Sequence, residues 1–273
     1  MHPFTKAWLK LFVLLMFLTS CEWNKAKTLA TKAEIFESEG KYRDAFDAYE
    51  KLIHLEQDKR KTVKYAKSAT DIAINRVKNF DRAIYFAKYV ILNSDSPDDR
   101  IAAQKNLADI YFSLLPTPNY QKSIEEFSKL LKLPIAKEDK FDYRVKMAKA
   151  YFRINNFYQA QVEIDNILEN ITDRNQKYDL KKLKADILLS SKDLAKAIPI
   201  YVELLKDFPK ESLKDDIALN LAVCYEDQER YDKAIETLTE LKKDTANPEF
   251  IDLRIKRLKE REAQQPGAHG LRK

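Results

Sequence analysis

"ERYDKAIETLTEL", Glu229–Leu241, places Tyr231 three positions before a small residue, Ala234, and follows it with Leu238 and Leu241. Offsets of 0, 3, 7 and 10 fall on one face of an α-helix. Near the other end of the chain, "GKYRDAFDAYEKL", Gly40–Leu52, repeats the phrase. A recurring phrase marks a recurring structural unit, so its spacing decides the fold.

The phrase occurs six times, at Tyr42/Ala45, Phe80/Ala83, Tyr120/Ser123, Phe157/Ala160, Leu194/Ala197 and Tyr231/Ala234, with successive spacings of 38, 40, 37, 37 and 37. Each copy continues at the seventh and tenth positions: Tyr49 and Leu52, Ala87 and Val90, Phe127 and Leu130, Ile164 and Ile167, Tyr201 and Leu204, Leu238 and Leu241. A second pattern precedes each copy, a small residue followed three positions later by a large apolar one. The pairs are Ala33/Phe36, Ala69/Ile72, Ala108/Tyr111, Ala148/Tyr151, Ala185/Leu188 and Ala222/Tyr225; Ala69/Ile72 fits if the turn after it is two residues longer. A side chain that ends at Cβ lets two helix axes approach, and the neighbouring large residue fills the space beside it. The predicted unit is therefore a helical hairpin.

This pattern resembles the tetratricopeptide repeat (TPR), and "NLADIY" (Asn106–Tyr111), "KMAKAYFRINNFYQAQ" (Lys146–Gln161) and "NLAVCYEDQERYDKAI" (Asn220–Ile235) carry it best. The resemblance covers residues 27 to 248 and implies an all-α, right-handed superhelical solenoid of about six helical hairpins. The family period is about 34 residues, so each unit here is longer; helices extended by about one turn account for the excess. "LLPTPN", Leu114–Asn119, is inserted at the third turn, where its prolines stop the first helix. The chain has only three glycines, so the turns are not glycine-rich. After the sixth repeat, Asn247 and Pro248 read as an N-cap and first-turn proline. The helix they open, 248–265, is expected to cap the array, with Ile251, Ile255 and Leu258 on its inner face and Arg254, Arg257, Lys259 and Arg261 outside. That basic surface also suits acidic lipid headgroups. The last residues, 266–273, have the composition of a disordered tail.

The chain's 45% hydrophobic and 34% charged residues describe a folded, surface-charged protein. Its net charge of +6 is spread along the helices as a solvated face. No zinc spacing, Gly-rich phosphate loop or arginine-rich arm appears, so neither a metal, a cofactor nor a nucleic acid is expected. Of the three histidines, His2 lies in the leader, His54 after a helix and His269 in the tail, none with a partner at catalytic or ligand spacing. Asn170-Ile171-Thr172 fits a glycosylation sequon, a short match that carries little weight alone.

Residues 1–20, with Lys6, Lys10 and an uncharged run from Leu11 to Ser20, read as a signal peptide. The run is too short to span a bilayer, which takes about 20 apolar residues. Leu18-Thr19-Ser20-Cys21 resembles the lipobox of bacterial lipoproteins. That resemblance implies thioether-linked acylation of Cys21, for which a soft thiol nucleophile is required. Residues 21–27 then form a lipidated tether spanning at most about 20 Å, ahead of the repeat array at 28–247. In relatives an Asp after the cysteine retains the lipoprotein at the inner membrane. Here Glu22 takes that place and leaves the membrane open, the outer one being the commoner destination. Lipidation of Cys21 leaves Cys224 without an intrachain disulfide partner, and its apolar neighbours Val223 and Tyr225 suit burial.

The family's concave groove is lined by first-helix positions one and four residues after the small residue. Carried over, these are Asp109 and Phe112, Lys149 and Phe152, and Asp186 and Leu189, with Arg153 adjacent. Their mixture of charge and apolar surface suits a peptide or protein partner; alternatively the apolar three pack against the next repeat. The whole is expected to be a non-catalytic, lipid-anchored scaffold facing the periplasm. Its layout resembles that of the repeat lipoprotein of the outer-membrane β-barrel assembly machine and, alternatively, that of a pilotin for a pilus or secretion secretin. An envelope enzyme on a helical scaffold is the reading from another class, and no nucleophile–base pair supports it. Neither the partner's identity nor the oligomeric state is legible in the sequence.

Overall fold

The computed structural model describes residues 24–169 and 171–265, so Cys21, the leader, Asn170 and the tail from residue 266 lie outside the described residues. Among the described residues there is no β-strand. Helices follow one another as α1 (24–38), α2 (Tyr42–Leu55), α3 (Lys59–Ile72), α4 (Phe80–Asn93), α5 (Pro97–Asp109), α6 (Tyr120–Leu131) and α7 (Lys137–Arg153). The chain continues through α8 (Phe157–Leu168), α9 (Arg174–Ser190), α10 (Leu194–Asp207), α11 (Pro209–Lys214), α12 (Ile217–Asp227), α13 (Tyr231–Leu241) and α14 (Pro248–Gln264). They form two compact units, divided between Tyr143 and Arg144.

Each repeated phrase opens a helix. Tyr42, Phe80, Tyr120, Phe157, Leu194 and Tyr231 are the first residues of α2, α4, α6, α8, α10 and α13. The side chains of Asn79, Asn119 and Asn156, just before three of them, accept backbone N–H bonds from the first turn. Such caps contribute about 0.5–2 kcal/mol each. Two residues before five of the six openings stands a left-handed residue: Gly40, Lys78, Asn155, Lys192 and Glu229, with φ between 58° and 74°. The left-handed turn ends the preceding helix by satisfying its last carbonyls. Only Gly40 takes this geometry without steric cost.

All twelve small residues of the two patterns are completely buried, at 0% exposure. In the first unit α2 packs on α3, α3 on α4, α4 on α5 and α5 on α6, around Phe46, Leu52, Ile72, Phe86 and Val90. In the second, α8 packs on α9, α9 on α10, α10 on α12, α12 on α13 and α13 on α14, around Leu188, Tyr201, Leu204, Ile217 and Leu238. Residues 24–27, placed in the tether by the sequence, are instead the first turn of α1. Ala26 there is buried in the core at 2% exposure. His54 lies in the last turn of α2 rather than after it.

The extra length of the repeats has more than one origin. Lys137–Arg153 and Arg174–Ser190 are long first helices. In the first unit, α3 and α5 each end in a π-helical turn, Ala73–Val77 and Ile110–Leu114, which inserts residues without adding a full turn. In the sixth hairpin the first helix is broken into α11 and α12 at Asp215-Asp216, where Asp216 has φ 56°. Aspartate tolerates that conformation better than most residues.

Candidate functional site

Of the seven predicted groove positions, two lie in the first unit. Phe112 is half-buried, edge-on to Tyr120 at 6.0 Å and to Phe127 at 5.9 Å. Its ring is thus engaged by its own hairpin. Asp109 is half-buried near the end of α5, and its backbone carbonyl accepts a bond from Ser113.

The other five lie in the second unit and divide into two kinds. Asp186 is held from two sides: the Tyr201 hydroxyl donates to its Oδ1 at 2.7 Å, and Asn220 Nδ2 donates at 3.4 Å. Burial pushes its carboxyl above the usual range, against the opposing effect of the Tyr201 bond. The same burial, with the Asp186 charge nearby, pushes the Tyr201 phenol up. A parallel pair stands one turn away, where Tyr178 and Lys182 donate to Asp215 at 3.0 and 2.9 Å. These bonds tie α9 to α10 and to the helices of the next hairpin. Leu189 is half-buried against the same core. Asp186 and Leu189 are therefore bound into the packing between hairpins.

Lys149, Phe152 and Arg153 are different. Lys149 and Arg153 are exposed, one turn apart on α7, and neither has an ion-pair or hydrogen-bond partner among the described residues. Phe152 is half-buried beside them, its ring 6.1 Å from Phe157. At spacings of 3 and 4 the three share one face of the helix.

Sequence reasoning read the arginines of α14 but missed the apolar side chains set among them, which make a second surface of the same composition. The side chain of Asn247 caps α14 by accepting from Phe250 N at 3.2 Å. Ile251 and Leu258 are buried beneath the helix. Between α12 and α14 runs a trough of 310 Å³ lined by Glu226, Phe250, Leu253 and three arginines. Phe250 and Leu253 are half exposed, at 49% and 50%. Arg254 and Arg261 share the single carboxylate of Glu226, and Arg257 has no partner among the described residues. The period of 3 and 4 from Phe250 through Leu253, Arg257 and Arg261 was the available signal, beside the inner face already read at Ile251 and Leu258.

Cys224 is fully buried, and burial pushes its thiol up to about 11. It is held as a small apolar residue. Among the described residues no cluster of three potential metal ligands occurs, and no helix is long and apolar enough to cross a membrane.

Residues 188–268 match the tetratricopeptide-repeat family model. The fold is that of a tetratricopeptide-repeat array. A TPR protein of Parabacteroides merdae aligns with 86% of this chain and 87% of its own, at 16% identity and a TM-score of 0.52. YrrB, a TPR protein with an unusual peptide-binding site, is covered over its full length by 78% of this chain, at 17% identity and a TM-score of 0.53. A chain of the Naa15/Naa10 complex with HypK-THB gives a TM-score of 0.65 at 17% identity; 86% of this chain covers 34% of that one. No curated protein sequence matches.

Proposed function

We propose that this protein is a non-catalytic scaffold of the bacterial envelope. In this reading it binds an acidic, apolar-bearing segment of a partner protein on the first-helix face of its TPR array and serves in outer-membrane protein assembly. One observation carries the binding reading. On α7 a half-buried Phe152 stands beside Lys149 and Arg153, and on α14 the half-exposed Phe250 and Leu253 stand beside Arg257, all three cations without partners among the described residues. A surface that served only solubility would not set aromatic rings among its charges. Interfaces draw most of their energy from such aromatic and arginine anchors, while the charges set register and partner choice. YrrB, a TPR protein with an unusual peptide-binding site, supports the reading that such an array receives a peptide. The envelope location and lipid anchor rest on the sequence around Cys21.

The test is capture of the partner from cross-linked membranes by the full, lipidated protein. Phe152→Ala combined with Lys149→Glu removes one anchor and reverses one charge at positions outside the buried core. Capture is expected to fall by at least about tenfold, a loss within the range of a single anchor, while the melting curve stays in place. Undiminished capture by the folded double variant would remove the support for this face.

A further inference from the structure

The break in the first helix of the sixth hairpin has opened a cleft on a different face from the surface just described. With α11 turned away from α12 at Asp215-Asp216, a hollow of 450 Å³ lies between α10, α11 and α13, floored by α12. Its volume is within the range of ligand-holding clefts, about 300–1,000 Å³. Ala218, Leu221 and Tyr225 form the floor, each less than 10% exposed. They share one face of α12 at spacings of 3 and 4, while Glu226, which belongs to the basic trough, leaves the helix about 100° further round. The walls remain apolar and open: Val202 on α10 is 44% exposed and Leu213 on α11 is 40% exposed.

The rim has the opposite charge to the rest of the molecule. Glu236, Glu240 and Asp244 line it at intervals of four residues, against Lys233 alone. Among the described residues Glu236 is engaged only by Lys233, at 3.3 Å, and Glu240 only by Lys243, at 2.6 Å, through side chains that are all well exposed. Asp244 has no partner among the described residues. Exposed pairs of this kind hold together by about 0–1 kcal/mol, so an incoming cation displaces them readily. The Tyr225 hydroxyl also has no hydrogen-bond partner among the described residues, which leaves it as a polar handle at the floor.

The geometry points to a second binding site, for a partner segment that inserts a large apolar side chain with a lysine or arginine next to it. Such a segment buries its apolar group against Val202, Leu213 and Leu221 and sets its cation against the acidic rim. Against the chain's net charge of +6, a local acidic edge is where a basic segment is favoured. The site therefore selects the reverse of the acidic partner assigned to the first-helix face, and its test does not depend on that assignment.

The probe is a random-peptide display library panned on the purified full chain. Enriched peptides should pair Leu, Ile, Phe or Trp with an adjacent Lys or Arg. Leu213→Glu and Glu236→Lys with Glu240→Lys should each weaken them by about tenfold or more. All three positions are exposed, so both variants should melt as the parent does. Lys149→Glu should leave the same peptides bound. Failure to enrich, enrichment of acidic peptides, or equal binding by Leu213→Glu overturns the proposal. Self-association of the chain that Leu213→Glu abolishes would overturn it too, since a second copy would then fill the cleft.

Discussion

Cys21→Ser is expected to move the protein from the membrane fraction to the soluble fraction and to abolish its labelling with radioactive palmitate. The lipobox reading makes the thiol the acyl acceptor, and a serine hydroxyl at that place is a far weaker nucleophile toward diacylglycerol transfer. Each buried methylene contributes about 0.8 kcal/mol to anchoring, and stable attachment takes two membrane signals rather than one. A thioether-linked diacylglycerol supplies two chains at once. None of the helices among the described residues is long and apolar enough to substitute as a membrane span. Loss of the thiol should therefore have an all-or-none effect on fractionation. Equal palmitate labelling of the Ser variant would refute the lipobox assignment.

Ala160→Leu and Ala234→Leu should each destabilise the array by about 1–3 kcal/mol. Both alanines are 0% exposed, one on α8 and one on α13, at the small-residue position where a hairpin's helices meet. Three added carbons have no void to occupy, so the helices must separate or the leucine must leave its rotamer. At this chain length 1 kcal/mol corresponds to about 2–4 °C in Tm, read by helical circular dichroism. Ala195→Leu is the control, because Ala195 is exposed on α10. Melting curves unchanged by both core substitutions would mean that the small residues do not set the interhelical contact.

The hairpins were legible because their signal is internal to each helix. A small residue three places from an aromatic reports the packing of one helix on its neighbour, and this geometry recurs wherever the phrase does. The breaks in the pattern were less legible. The π-turns at Ala73–Val77 and Ile110–Leu114 and the left-handed Asp216 depend on how the chain reaches the next hairpin. The groove residues show the limit most clearly. Asp186 and Lys149 occupy the same repeat position, yet one is half-buried and accepts bonds from Tyr201 and Asn220 while the other is exposed. The difference arises from Tyr201, 15 positions further along in the same hairpin, and Asn220, 34 positions further along in the next. Tyr201 itself held a clue: a tyrosine on the inner face must find a partner for its hydroxyl, and a nearby carboxylate is the natural one. Phe250 and Leu253 escaped notice because the outer face of α14 was read for its arginines alone.

The central claim is that a partner protein sits on the first-helix face of the second unit. Site-specific photo-cross-linking tests it most directly, with benzoylphenylalanine placed at Phe152 on α7 or at Tyr158 on α8 of the full lipidated protein. Phe152 is half-buried beside two cations without partners among the described residues, whereas Tyr158, at 72% exposure, lies on a second helix. The account predicts a discrete adduct with an envelope protein from position 152 and none of the same mass from position 158. No adduct from position 152, or the same adduct from both, would contradict it.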